Sequence, residues 1–153
     1  MKKTFYVFAL ALAMAACNSG KESTETTAEE TVQAAGTGLF DKQWNLAEIK
    51  GNAVVLDSSF HATPHLTFTE SDSSVAGNAG CNQIGGGFML TGSDGITFTK
   101  MRSTLMACPN LEVEQQFVAE LENIKKYRIE GTTLLLNNEN SETLLKLEGV
   151  DKP

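Results

Sequence analysis

From Leu39 onward, short runs of apolar residues at every second position are separated by glycine, asparagine and aspartate. That period of two commits the chain to strands with one buried and one solvated face. Trp44 and Leu46 alternate in the first run, residues 54–56 make a brief second, Leu66 and Phe68 alternate in the third, and residues 75–78 form a fourth. Residues 88–91 and 96–100 flank Gly92-Ser93-Asp94-Gly95, a hairpin connection whose residues tolerate positive φ. Tyr127 and Ile129 alternate, and residues 133–136 and 143–147 follow after Gly131-Thr132 and Asn137-Asn138-Glu139-Asn140, which predicts a three-stranded meander.

One segment departs from this period. Val113, Phe117, Leu121 and Ile124 recur at spacings of four, four and three, which places them on one face of a helix over about 111–124. Glu112 and Glu114 suit its first turn, and Pro109 and Asn110 mark its start, asparagine as a cap. The expected fold is therefore mainly β (α+β), an antiparallel sheet or barrel covered by one inserted amphipathic helix.

The N-terminal segment has a different character. Met1-Lys2-Lys3 precedes an apolar run from Thr4 to Ala16, of secretory-signal length and too short to span a bilayer. Ala15-Ala16-Cys17 resembles the bacterial lipobox, with Met14 where leucine is commonest. Residues 1–16 are read as a lipoprotein signal peptide and Cys17 as the lipidated residue; an ordinary signal peptide cleaved near Ala16 is the alternative. Acyl chains contribute roughly 0.8 kcal/mol per buried methylene, so several make anchoring effectively permanent. Residues 17–38 lack aromatic residues and carry a net charge of −3, and they read as a disordered acidic tether or as a surface-sorting address. Asn18 is not the aspartate that often retains lipoproteins in an inner membrane. The expected location is thus the cell envelope, with the outer membrane favoured and the domain facing the periplasm or the cell surface.

Removal of the leader leaves 137 residues, which suits one domain, expected over residues 39–150 and as a monomer. Residues 39–153 carry nine Lys or Arg against fifteen Asp or Glu, a net charge of −6. This balance argues against nucleic acid and anionic head groups as partners, so acyl chains on Cys17 supply the membrane contact.

With Cys17 consumed, Cys81 and Cys108 remain in a compartment that permits oxidation. A disulfide is the economical reading; it closes a loop of 28 residues and constrains the unfolded chain by roughly 3 to 4 kcal/mol. Two free buried thiols, or a metal site with His61 and His65, are the alternatives, although His61-Ala62-Thr63-Pro64-His65 lacks a convincing ligand spacing and no metal or cofactor is expected. No Gly-x-Ser-x-Gly elbow, His-Glu-x-x-His helix or phosphate loop is present. Gly85-Gly86-Gly87 has no basic residue nearby and reads as a tight loop or a close backbone approach. Ser103-Thr104 supplies a nucleophile only if a base folds beside it. No catalytic residue is assigned and a non-enzyme is expected.

Residues 39–148 resemble the META domain, also called the HslJ-like family. The resemblance is carried by Trp44-Asn45-Leu46, Leu66-Thr67-Phe68, Val75-Ala76-Gly77-Asn78-Ala79-Gly80-Cys81-Asn82 with Gly87-Phe88, and Ile96-Thr97-Phe98 leading into Met101-Arg102-Ser103-Thr104-Leu105-Met106-Ala107-Cys108. The helix with Glu114, Phe117 and Leu121, then Tyr127-Arg128-Ile129 and Leu134-Leu135-Leu136, complete it. It implies a small, antiparallel, barrel-like β domain with the helix inserted between the central hairpin and the C-terminal strands. Family members are often envelope lipoproteins linked to stress response, secretion and motility, without an accepted biochemical activity. Phe88 stands where the family commonly has tyrosine, so a phenolic hydroxyl is dispensable there.

Asn82 and Thr104 adjoin the two cysteines, where they are suited to satisfying backbone groups in loops. If Cys81 and Cys108 pair, the two motifs become one patch at one end of the barrel, with Asn82, Thr104 and Met106 as its binding or structural residues. The leading expectation is a noncatalytic envelope protein, stress-related or supporting envelope integrity, that binds a protein partner. The alternative is a carrier of a small hydrophobic ligand held among Phe68, Met89, Phe98 and Phe117. A hydrolase ranks third. The carrier needs an empty interior, whereas the binding module needs a filled one and an exposed patch.

Overall fold

The computed structural model of the protein describes residues 38–109 and 111–152. The leader, Cys17, the tether up to residue 37 and the capping role assigned to Asn110 lie outside these described residues. Among them the chain forms nine strands and one helix: β1 (Lys42–Ile49), β2 (Asn52–Ala53), β3 (His65–Thr69), β4 (Ser74–Asn78), β5 (Gln83–Thr91), β6 (Gly95–Ser103), α1 (Glu112–Asn123), β7 (Lys126–Glu130), β8 (Thr133–Asn137) and β9 (Thr143–Asp151). No helix among the described residues is long and apolar enough to cross a membrane.

All strand pairings are antiparallel, in the order β2-β1-β3-β4-β5-β6-β7-β8-β9. A further pairing of β1 with β9, from Lys42↔Asp151 to Ile49↔Leu145, closes the sheet into a ring. The barrel-like, mainly β fold with one inserted helix is thus present. The ring is thinnest between β6 and β7, where Gly95↔Lys126 is the register pair. The chain joining these two strands carries α1, which packs on β6 and β9.

The alternating residues converge inside the ring. Trp44, Leu66, Phe68, Ile96, Leu134, Leu136, Leu145 and Leu147 are fully buried. Phe68 meets Phe88 edge-on at 5.4 Å between ring centroids and Phe98 at 6.1 Å, arrangements favoured by the ring quadrupole. Trp44 donates from Nε1 to the Leu39 carbonyl at 2.9 Å, so the polar end of the indole is satisfied inside the core. The core spacing on β1 is two and then three: Trp44, Leu46, Ile49. Ala47 supplies the extra residue, because the register with β9 shifts between Leu46 and Glu48, and this bulge returns Ile49 to the inner face.

The helix period is realised as Phe117, Leu121 and Ile124, all buried against the ring. Glu120 is buried as well, and its carboxylate meets Lys50 Nζ at 2.7 Å, which ties α1 to the end of β1. The N-cap position is Leu111, which makes no side-chain cap.

Three expectations are corrected. Residues 54–56 are not a strand: pairing stops at Ala53, and Val55 is 79% exposed with no sheet face to pack on. Gly85-Gly86-Gly87 is not a loop but lies within β5, and the close-approach reading holds at Gly86. A Cβ there would stand 2.6 Å from Met101 Sδ and 2.8 Å from the Thr99 carbonyl oxygen. The register with β6 shifts at that point, with Lys100 opposite it at φ 52. Met89, expected to line the interior, is 57% exposed, because it falls out of phase with the inward-facing Phe88.

Candidate functional site

Cys81 and Cys108 are joined by a disulfide, with Cα atoms 6.3 Å apart. The bridge ties the turn before β5 to the segment that leaves β6 for α1, and these are the two halves of the sequence patch. The expected pairing is therefore present, and Asn82, Thr104 and Met106 do come together.

Asn82 is the hub. It is 2% exposed, and its side-chain oxygen accepts from the Thr104 hydroxyl at 2.8 Å and from the Met106 backbone N–H at 2.6 Å. Its amide nitrogen donates to Glu114 Oε1 at 2.6 Å and lies 3.4 Å from the Met106 carbonyl oxygen. Thr104 also accepts from Gln83 N–H at 3.2 Å, and its own N–H donates to the Gln83 carbonyl at 3.0 Å. These bonds supply backbone partners to a loop with no ladder of its own.

Sequence reasoning placed Glu114 in the first turn of α1 but did not foresee its contacts. Its Oε2 accepts from the N–H of Cys81 at 3.1 Å and of Asn82 at 2.8 Å. Together with the Asn82 side chain, three donors converge on one carboxylate. The available signal was an acidic residue at a helix start; its partners lie 32 and 33 positions away in sequence and no local pattern points to them.

The clamp shapes a groove of about 650 Å³ between α1 and residues 103–107. Leu105, Met106, Ala107, Leu111, Val118 and Ala119 give it an apolar lining, and Glu114, Gln115 and Glu122 give it a polar and acidic border. Leu105 is 97% exposed and Met106 47% exposed. The backbone on either side of Leu105 is tied by the Thr104 and Met106 bonds to Gln83 and Asn82, and the disulfide follows at Cys108.

The remaining candidates lie apart or are already engaged. Ser103 donates its hydroxyl to the Thr104 carbonyl, and Thr104 donates its own to Asn82, so neither hydroxyl faces a base. His65 sits on β3 with Nδ1 2.8 Å from the Thr63 carbonyl oxygen. His61 lies beside the disulfide, both ring nitrogens 3.9 Å from Cys108 Sγ. Of the four residues offered as carrier lining, Phe68, Phe98 and Phe117 are packed in the core and Met89 points outward.

The family model described as the META domain matches residues 37–151. No curated protein matches the chain. Among solved structures the chain is similar to one determined by NMR, with a TM-score of 0.60 and 20% identity over 78% of this chain and 97% of that one. It is similar to an NMR structure of a protein from Burkholderia xenovorans, with a TM-score of 0.58 and 21% identity over 74% of this chain and 85% of that one. A DUF4847-family protein from Bacteroides vulgatus gives a TM-score of 0.51 and 17% identity over 76% of this chain and 98% of that one. At these identities the likeness is one of fold.

Proposed function

The chain belongs to the META domain family, and from that premise we propose that it is a noncatalytic, lipid-anchored envelope protein that binds a protein partner through the groove beside α1. The observation that carries this reading is Leu105: a leucine almost wholly in solvent, on a loop held by a disulfide and by a buried asparagine. Ordering a loop costs conformational entropy, and here that ordering presents an apolar anchor next to an apolar wall. The acidic border, Glu114 and Glu122, and the net charge of −6 on residues 39–153 suit a partner segment that inserts an aliphatic or aromatic side chain flanked by lysine or arginine. Anchoring through Cys17 would hold the groove near the outer membrane, where a role in stress response or envelope integrity is expressed through the bound partner. The packed interior gives no support to the carrier reading.

A photo-crosslinking residue at position 105 in intact cells tests the groove. One recurrent adduct is expected. It should disappear when Leu111 or Val118 on the facing wall is changed to aspartate, and Leu105→Asp should leave folding stability within about 0.5 kcal/mol, as for surface changes generally. Adducts that survive the wall substitutions would refute the groove as the interface. For the anchor, Cys17→Ser should move the chain from the membrane fraction to the soluble envelope fraction; persistence in the membrane would refute lipidation at that residue.

A further inference from the structure

We propose that reduction of the Cys81–Cys108 bridge creates a zinc(II) site formed by His61 and the two cysteine sulfurs. One ligand atom from each of these residues lies within 4.8 Å of the others. Tetrahedral zinc holds sulfur at about 2.3 Å and imidazole nitrogen at about 2.0–2.1 Å, which sets ligand-to-ligand separations of roughly 3.6–3.8 Å. The His61 nitrogens already stand 3.9 Å from Cys108 Sγ, close to the ligand separation such a site requires. Once the bond is broken, the two sulfurs need only separate by side-chain rotation, from Cα atoms 6.3 Å apart.

His61 is placed there by the backbone and not by chance of its rotamer. Its N–H donates to the Gly80 carbonyl at 2.8 Å, and that of Ala62 donates to the same oxygen at 3.1 Å, so the histidine is stapled to the residue before Cys81. Gly80 makes the approach possible: at φ 119 it has the left-handed backbone that favours glycine, and a Cβ there would press on the Phe60 ring at 2.9 Å. Charge favours a cation as well. Two thiolates would face it, and the Glu114 carboxylate, which accepts the Cys81 N–H, adds negative charge nearby.

The chemistry balances with a dithiol as reductant. Its thiolate attacks the half-exposed Cys108 sulfur and expels Cys81 as thiolate. The second thiol then resolves the mixed disulfide, so two electrons and two protons pass to the protein and the donor leaves as its own disulfide. Zinc binding displaces the two thiol protons, forms two Zn–S bonds and one Zn–N bond, and leaves the fourth position to water. In the oxidised protein neither sulfur carries charge to hold the ion. The bridge and the metal are thus alternative clips for the same loop, and this inference does not rest on the groove's having a partner.

The test uses the mature chain with Cys17→Ser, reduced anaerobically with a non-chelating phosphine and titrated with zinc against a chromophoric chelator; cobalt(II) serves as the spectroscopic probe. One equivalent per chain is expected, with thiolate-to-cobalt charge-transfer bands, no binding by the oxidised chain, and affinity at least tenfold weaker in His61→Ala. In a second measurement, zinc should raise the urea midpoint of the reduced chain, or refold it if reduction has unfolded it, and should do so far less for reduced His61→Ala. Binding that His61→Ala leaves unchanged, a stoichiometry of one ion per two chains, or no zinc effect on the reduced chain would overturn the proposal.

Discussion

Replacing Glu114 with glutamine preserves size and shape and removes only the charge, which makes it the sharpest probe of the clamp. All three groups that reach this carboxylate are donors: the N–H of Cys81, the N–H of Asn82 and the amide of Asn82. Glutamine has one acceptor oxygen. If that oxygen serves the two backbone N–H groups, its NH2 faces the NH2 of Asn82. Flipping Asn82 does not relieve the clash, because its oxygen is already committed to the Met106 N–H at 2.6 Å. A hydrogen bond to a charged group contributes about 1.5–3 kcal/mol and a neutral one about 1 kcal/mol. Two bonds reduced to neutral strength and one lost sum to roughly 2.5–7 kcal/mol, and partial exposure of Glu114 lets water offset much of that. We expect Glu114→Gln to destabilise the domain by about 2 kcal/mol. Urea unfolding followed by Trp44 fluorescence measures this directly, since Trp44 is the only tryptophan and is fully buried. Glu114→Ala, which admits water to the same donors, should cost no more than about 1 kcal/mol beyond the glutamine variant. A glutamine variant within about 0.5 kcal/mol of the parent would refute the donor-only reasoning.

Other substitutions probe the ring. Gly77→Ala should cost about 3 kcal/mol by the same assay, because its Cβ would stand 2.0 Å from the His65 carbonyl oxygen across the β3–β4 ladder and the backbones must part; a cost under about 1 kcal/mol would contradict the packing there. Lys100→Gly should stabilise by about 0.5–1 kcal/mol, since Lys100 holds φ 52 at the β5–β6 register shift and a left-handed conformation costs a non-glycine residue about that much after glycine's entropy is counted. Lys100→Ala, which keeps a Cβ, should not reproduce the gain. The double change Cys81→Ala with Cys108→Ala should lower stability by about 3–4 kcal/mol at equilibrium; an unchanged urea midpoint would mean that the bridge constrains little of the unfolded chain.

The period-two pattern made most of the strands readable, because Trp44, Leu66, Phe68, Ile96 and Leu134 each fall on the inner face. The helix was equally plain, since Phe117, Leu121 and Ile124 cannot share a face in any other regular structure. Failures came where the backbone leaves its period. The β1 bulge at Ala47 and the β5–β6 shift at Gly86 interrupt alternation, and the second made three consecutive glycines look like a loop. Residues 54–56 have the composition of a strand but no neighbour to pair with, and strand propensity without a partner is only a weak preference. Of the site, the cysteine pair and the junction of Asn82 with Thr104 and Met106 were legible. The carboxylate that completes them was not, because Glu114 reaches the site from an element folded back across more than thirty residues.

The closing of β1 against β9 has a mechanical meaning if the domain is tethered as proposed. Under the proposed anchor at Cys17 a pull would enter at Lys42, and β1 is laddered to β9 over its whole length and to β3 and β2 on its other edge. Force along a strand loads its cross-strand bonds together in shear, whereas force across it peels them one at a time. The Lys42–Asp151 ion pair, at 3.2 Å, sits where such a load would enter. A pull entering at Lys42 would thus load the ladders of the first strand before any other part of the ring.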